Sequence, residues 1–322
     1  MAGVQWKKPQ NMIDRTGGVV YRDRKDAKIA LLAFGSRVLV LGWMFLSTRL
    51  YRKLDTSTSL QNFACIEDGR SVNAEPRPGP WGLDALAPWD TVYFLRIAKC
   101  GYEFDIFNAF FPLYPFLMRY IVAMLSFLKL DLISQMVPIE TEYLVIGLLA
   151  NLVAFCCAAV ALHHLSLEVT RSHSLSNLAV IFFCFNPSSV FYSAAYTEAL
   201  YAAFTWSGLV ILHRNYFWGG TFVLAAATGV RSNGVLNCFF VAYKLFISRG
   251  QRHRKESQFS HSQWFPLFTK MLQFIGSCFI IVAPNLFMQG KCKGCREILP
   301  LCDWIQIFNN VYPLWSVQCM DI

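Results

Sequence analysis

Asp90, Glu103 and Asp105 form a short stretch of carboxylates beside strongly apolar sequence, and Asp90 follows directly on Trp89. In 91–102, Val92, Leu95, Ile97 and Ala98 recur at near-helical spacing with Arg96 and Lys99 between them. That pattern predicts a short amphipathic helix lying on a membrane surface. Desolvation at a lipid boundary disfavours the charged form of a carboxylate, which suits Asp90 to take a proton from a hydroxyl. Arg96 and Lys99 are then placed to hold a phosphate leaving group. The plainer reading is an interfacial anchor, since Trp, Tyr and Lys are what membrane boundaries favour. Glu103 and Asp105 either cap a helix beginning near Asn108, or one of them joins Asp90 in positioning an acceptor.

A second group lies deeper in apolar sequence: Arg37, Glu198, and Arg231 with Ser232, Asn233 and Gly234. Ionised side chains at membrane depth are costly and mark a bundle interior, a water-filled cavity or a charge pair. Glu198 and Arg231 therefore either neutralise each other or touch substrate, and Gly229 and Gly234 allow close packing around Arg231. Of the 11 cysteines, Cys156, Cys157, Cys184, Cys238 and Cys278 sit in apolar runs and read as packed thiols. Cys292, Cys295 and Cys302 share the tail, where a disulfide is expected if that tail is extracytoplasmic. No second Cys or His pair completes a zinc pattern there, so no metal is expected.

The elements that must position these groups are membrane helices. The chain of 322 residues is 55% hydrophobic and only 15% charged, against about 25% charged in soluble domains, and its mean hydropathy is +0.38. So apolar a chain cannot cover itself inside one water-soluble core. A net charge of +9 raises nucleic acid as a partner, but the basic residues gather in two clusters beside apolar runs. One holds Lys7, Arg15, Arg22, Arg24, Lys25 and Lys28; the other holds Lys244, Arg249, Arg252, Arg254 and Lys255. Basic residues so placed stay cytoplasmic, which accounts for the charge without nucleic acid.

With about 20 helical residues needed per crossing, about seven apolar segments qualify: 30–48, 107–128, 143–164, 175–192, 196–213, 216–246 and 267–288. The first reads as a retained anchor interrupted by Arg37, and Asn186-Pro187 breaks the fourth from the fifth. The expected architecture is all-α, a polytopic transmembrane bundle. It comprises a cytoplasmic tail 1–29, a helical domain 30–290 and a short tail 291–322. Within the domain, 51–105 is an extended first luminal loop and 248–264 a cytoplasmic one. The chain has no Asn-x-Ser/Thr sequon and no internal repeat.

At these residues the sequence resembles a known family. Trp89, Asp90, Tyr93, Phe94, Ile97, Ala98, Gly101 and Tyr102 are followed by Ala109-Phe110-Phe111-Pro112, by Asn186-Pro187, by Tyr196-Thr197-Glu198 and by Arg231-Ser232-Asn233-Gly234. In that order they resemble GPI mannosyltransferase 2, the PIG-V family. The resemblance implies a GT-C-type glycosyltransferase of the endoplasmic reticulum membrane with its catalytic carboxylate in the first luminal loop. It implies transfer of the second mannose, in α1,6 linkage, from dolichyl phosphate mannose to a GPI-anchor precursor, with a small membrane accessory subunit as a further partner. Asp90 matches the family's acidic residue after the tryptophan and is the expected base. Asp105 falls where the family has glutamate, and Trp89, Arg96, Lys99, Glu198, Arg231 and Asn233 are the expected substrate contacts. No cofactor or metal is expected, since cationic side chains suffice for the phosphate and no Asp-x-Asp pair is present. The family pattern continues into further luminal loops and helices, so a C-terminally truncated form is implied.

Two other functions fit part of the pattern. An inactive short form or accessory subunit of the same pathway would retain the helices without transfer. A transporter would also show broken helices and intramembrane charge, but transporters usually carry an internal repeat.

Overall fold

The computed structural model describes residues 17–50, 65, 86–87, 89–128, 139–248 and 264–292. Most of the expected luminal loop before Leu86, the expected cytoplasmic loop beyond Ser248 and the tail with Cys295 and Cys302 lie outside the described residues. The described residues form helices: α1 (Gly17–Leu50), α2 (Thr91–Cys100), α3 (Leu113–Phe127), α4 (Ile139–Thr170) and α5 (His173–Cys184). Then come α6 (Ser189–Ser193), α7 (Glu198–His213), α8 (Phe217–Val230), α9 (Asn237–Ala242) and α10 (Trp264–Cys292). An all-α membrane bundle is the architecture.

Stretches of three helices, Lys25–Ser47, Thr141–Thr170 and Leu267–Met288, are long and apolar enough to cross a membrane. They coincide with three of the seven expected segments, and they leave Leu39, Trp43 and Phe279 bare on their outer faces, as lipid-facing side chains should be. The expected segment 196–213 appears as α7, and the other three are shorter than expected because local chemistry interrupts them. The run 107–128 divides into a 3-10 turn (Asp105–Ala109) and α3, which starts after Pro112 and carries Pro115 in its first turn, where a missing N–H costs nothing. The run 175–192 stops at Cys184: Asn186 Nδ2 donates to the Phe183 carbonyl at 2.7 Å, the Ser189 hydroxyl donates to the Asn186 carbonyl at 2.7 Å, and Pro187 bars continuation.

The run 216–246 is the third correction. Helix α8 ends at Val230, Arg231 is extended at φ −149°, and a 3-10 turn (Ser232–Leu236) leads into α9, which continues as π-helix over Tyr243–Ser248. Gly234 permits this reversal, because a Cβ there would strike the backbone of Thr228.

Small residues bring the helices together, as they must where lipid removes the hydrophobic drive for helix association. Ala154, Ala158 and Ala159 of α4 and Ala199, Ala202 and Ala203 of α7 are buried in one core. Gly208 of α7 and Gly220 of α8 let those two helices meet backbone to backbone: a Cβ on Gly220 would lie 2.9 Å from the Leu212 nitrogen.

Arg37 of α1 is 1% exposed and holds the α5–α6 break. Its guanidinium donates to the carbonyls of Cys184 at 2.5 Å and Ser189 at 2.9 Å, and to the hydroxyl of Ser193 at 3.1 Å. Its flat face lies 4.0 Å over the ring of Phe155 in α4. A broken helix at membrane depth leaves carbonyls without intrahelical donors, and Arg37 supplies them.

Candidate functional site

Helix α2 begins at a strained corner. Trp89 sits at φ 44°, a left-handed conformation that costs an ordinary residue about 1–2 kcal/mol, and its ring packs 6.1 Å from that of Phe191. Strain of this kind gathers where a side chain must be aimed. Here it turns the next residue, Asp90, into a cavity of about 180 Å³. The backbone N–H of Asp90 donates to the Tyr196 hydroxyl at 3.2 Å. Phe94, one turn on, packs edge-on against Phe110, Tyr114 and Tyr196.

The opposite wall is the link between α6 and α7. Asn151, fully buried in α4, donates through Nδ2 to the carbonyls of Ala194 at 2.5 Å and Tyr196 at 2.7 Å. That grip fixes Tyr196, Thr197 and Glu198. Glu198 and Arg231 form an ion pair through Oε1, and Arg231 also donates to the Thr197 hydroxyl at 3.0 Å. The Glu198 side chain is 25% exposed and that of Arg231 34%. The second carboxylate oxygen of Glu198 is buried with no hydrogen-bond partner among the described residues. Such an atom costs about 1–3 kcal/mol unless something arrives to donate to it.

Asp90, Glu198 and Arg231 thus converge on one cavity from three separate stretches of chain, with Phe110, Phe111 and Ser232 on its walls. Asp90 is exposed at the mouth rather than sunk against apolar side chains. Burial, then the charges of Asp90 and Glu198, pushes the Tyr196 phenol up to about 12, so at neutral pH it is a hydrogen-bonding hydroxyl and not a base. The Tyr102 phenol, whose hydroxyl donates to the Phe110 carbonyl at 2.8 Å, is likewise raised by burial.

The other expected contacts lie elsewhere. Arg96 is buried on α2 and donates to Glu103 at 2.6 Å, so this cation stiffens the turn behind α2. Lys99 is half-buried near the end of α2, and Trp89 and Asn233 are exposed beside the cavity without lining it. Asp105 opens the 3-10 turn, and its side chain lies outside the described residues. A disulfide joins Cys65 to Cys100 at the end of α2. Neither this bridge nor the grip of Asn151 was expected. A lone carboxamide in an apolar helix was the signal for the latter, since polar groups at membrane depth need a reason to be there.

A carboxylate at the mouth, a paired cation and an acceptor oxygen without a partner among the described residues can take a proton, hold an anion and bind a hydroxyl. The cavity, at about 180 Å³, is smaller than the roughly 300–1,000 Å³ of drug-sized pockets, so among the described residues it has room for one small ring-sized group.

The family described as Mannosyltransferase (PIG-V) matches residues 26–311. GPI mannosyltransferase 2 of Drosophila pseudoobscura pseudoobscura is 31% identical over 250 residues, 70% of this chain and 51% of that relative. Human GPI alpha-1,6-mannosyltransferase 2 is 35% identical over 161 residues, 50% of this chain and 32% of the relative. GPI mannosyltransferase 2 of Schizosaccharomyces pombe is 28% identical over 230 residues, 66% and 44% of the two chains. The chain spans about half or less of the length of these relatives. No solved structure matches.

Proposed function

The chain belongs to the PIG-V mannosyltransferase family, and on that premise we propose that it transfers the second mannose, in α1,6 linkage, from dolichyl phosphate mannose to a GPI-anchor precursor in the endoplasmic reticulum lumen. The observation that carries this reading is the convergence of Asp90, Glu198 and Arg231 on one cavity. In the reaction an acceptor hydroxyl oxygen attacks the anomeric carbon of the donor mannose with inversion. The new C–O bond forms as the C–O bond to phosphate breaks, the hydroxyl proton passes to the Asp90 carboxylate, and dolichyl phosphate departs with the electron pair. Arg231 steadies the phosphate oxygens, and the vacant oxygen of Glu198 accepts from a sugar hydroxyl. A cationic side chain at the phosphate makes a divalent metal unnecessary for this step.

The Cys65–Cys100 bridge supports a luminal site, because disulfides persist in oxidising compartments. Exposed apolar faces on α1, α4 and α10 suit both lipid-linked substrates and a small membrane subunit. The test is complementation of cells deficient in this transferase. The chain restores surface GPI-anchored proteins, and Asp90→Asn at equal abundance does not; restoration by Asp90→Asn would remove Asp90 from the mechanism, and failure of the unmutated chain would remove the activity.

A further inference from the structure

Asp26 of α1 meets His163 and His164 of α4 where the two helices pack together. The Asp26 Oδ2 and His164 Nε2 are 3.0 Å apart, and the two imidazole rings stand at 69° with centroids 5.7 Å apart. One ligand atom from each of the three side chains lies within 4.8 Å of the others. Further along the same seam, one turn on from Asp26 in α1 and two turns back from His164 in α4, the Cys156 thiol reaches the Ala30 carbonyl at 3.6 Å, which also sets the spacing of the helices.

An Asp–His ion pair accounts for two of these residues and leaves the third unexplained. His163 is 3% exposed, and its Nδ1 is buried with no hydrogen-bond partner among the described residues. A buried imidazole nitrogen with nothing to bind is costly, and beside a second imidazole and a carboxylate it is a metal ligand in waiting. Lys25 brings positive charge near His163, and the Asp26 carboxylate offsets it.

We propose that Asp26, His163 and His164 form a three-ligand site for a transition-metal dication of the zinc type, fastening α1 to α4. Two imidazoles and one carboxylate favour zinc over magnesium or calcium, which prefer all-oxygen shells. Bond lengths of about 2.0–2.2 Å put tetrahedral ligand atoms about 3.3 Å apart. The Asp26–His164 pair already has that spacing, and rotation of the half-buried side chains closes the rest. A fourth position is left for water. His164 lies about 20 Å along α4 from Asn151, at 1.5 Å per residue, so the metal would act on helix packing and not on the sugar-binding cavity.

Purified full chain in detergent, with Cys292→Ser, Cys295→Ser and Cys302→Ser removing the tail thiols as competing ligands, is dialysed against buffered micromolar Zn²⁺ and titrated with Co²⁺ by optical absorption. One Zn²⁺ per chain is expected, with tetrahedral Co²⁺ bands and a thermal midpoint that rises with free zinc. Asp26→Asn and His164→Gln, both half-buried and near-isosteric, should each weaken Zn²⁺ at least ten-fold while leaving the zinc-free midpoint near that of the parent. His163→Gln should do the same if it folds, and the other two variants decide the matter if it does not. Absence of bound zinc in the parent, or zinc held at parental affinity by the Asp26→Asn, His164→Gln double variant, would overturn the site.

Discussion

Arg37 and Arg231 both lie among apolar helices, yet their surroundings differ in kind. Arg37 is 1% exposed, faces no carboxylate among the described residues and spends its donors on two carbonyls and two serine hydroxyls of one helix break and on the neighbouring Ser36 hydroxyl. Arg231 is one-third exposed, is paired with Glu198 and Thr197, and faces a cavity that also holds Asp90. Both are arginines at a position where sequence alone registers only an expensive charge. What separates scaffold from site is whether the guanidinium's donors are consumed. A saturated cation holds the fold; one left open to a cavity is available to a phosphate.

Four variants test that division. The largest effect is expected from Arg231→Gln combined with Glu198→Gln, which removes the pair without leaving a lone buried charge. The proposed transfer of mannose from dolichyl phosphate mannose, assayed in microsomes, should fall by about 10² or more, the usual cost of losing a charge-stabilising donor, with abundance near normal. If the double variant stays active, Arg231 is scaffold as well.

Arg37→Met should do the reverse. Several interhelical hydrogen bonds at about 0.6 kcal/mol each, and carbonyls left unsatisfied, predict a loss of about 2 kcal/mol or more in detergent unfolding and lower abundance. Transfer per folded molecule should stay within about three-fold of normal, and a deeper loss would place Arg37 in the site. Asn151→Leu lies between the two, because it frees the Ala194–Tyr196 link. A loss of about 1 kcal/mol together with roughly ten-fold slower transfer is expected, and unaltered kinetics would show that the link holds without it.

Tyr196→Phe is the mildest, removing one acceptor from the Asp90 N–H. About a five-fold drop follows from roughly 1 kcal/mol, with an unchanged pH profile between 6 and 8. With the folded phenol pushed up to about 12, the unfolded chain loses this proton first. The phenol's contribution therefore leaves stability level below about pH 10 and lowers it as pH rises from 10 towards 12. A pH–rate inflection near neutrality that vanishes in Tyr196→Phe would instead make Tyr196 an acid or base.

The long helices were legible because their composition is uniform: α1, α4 and α10 are the apolar runs 30–48, 143–164 and 267–288, extended by their flanks. The break at Asn186-Pro187 was legible too, since proline has one meaning inside a helix. The end of α8 at Val230 was not, because it depends on Gly234 lying against Thr228, a contact that no local pattern encodes. At the site, Asp90, Glu198 and Arg231 stood out as charges in apolar surroundings. Arg96 stood out for the same reason, and only the position of Glu103 shows that it is already engaged. The Cys65–Cys100 pairing was hidden by the number of alternatives among 11 cysteines.

The partners of Arg37 also set an order of events during synthesis. They lie 147–156 residues further along the chain, so α1 leaves the ribosome well before the α5–α6 break that will accept its protons. At about 5–20 residues per second, that interval lasts about 7–30 s. Through it, α1 carries an arginine with an insertion penalty of about 2.5–3.5 kcal/mol and, of its partners in the fold, only the Ser36 hydroxyl beside it. Until then the apolar residues around it, Leu39 and Trp43 among them, carry that cost, and the hydrogen bonds to Cys184, Ser189 and Ser193 recover it once the broken helix is made.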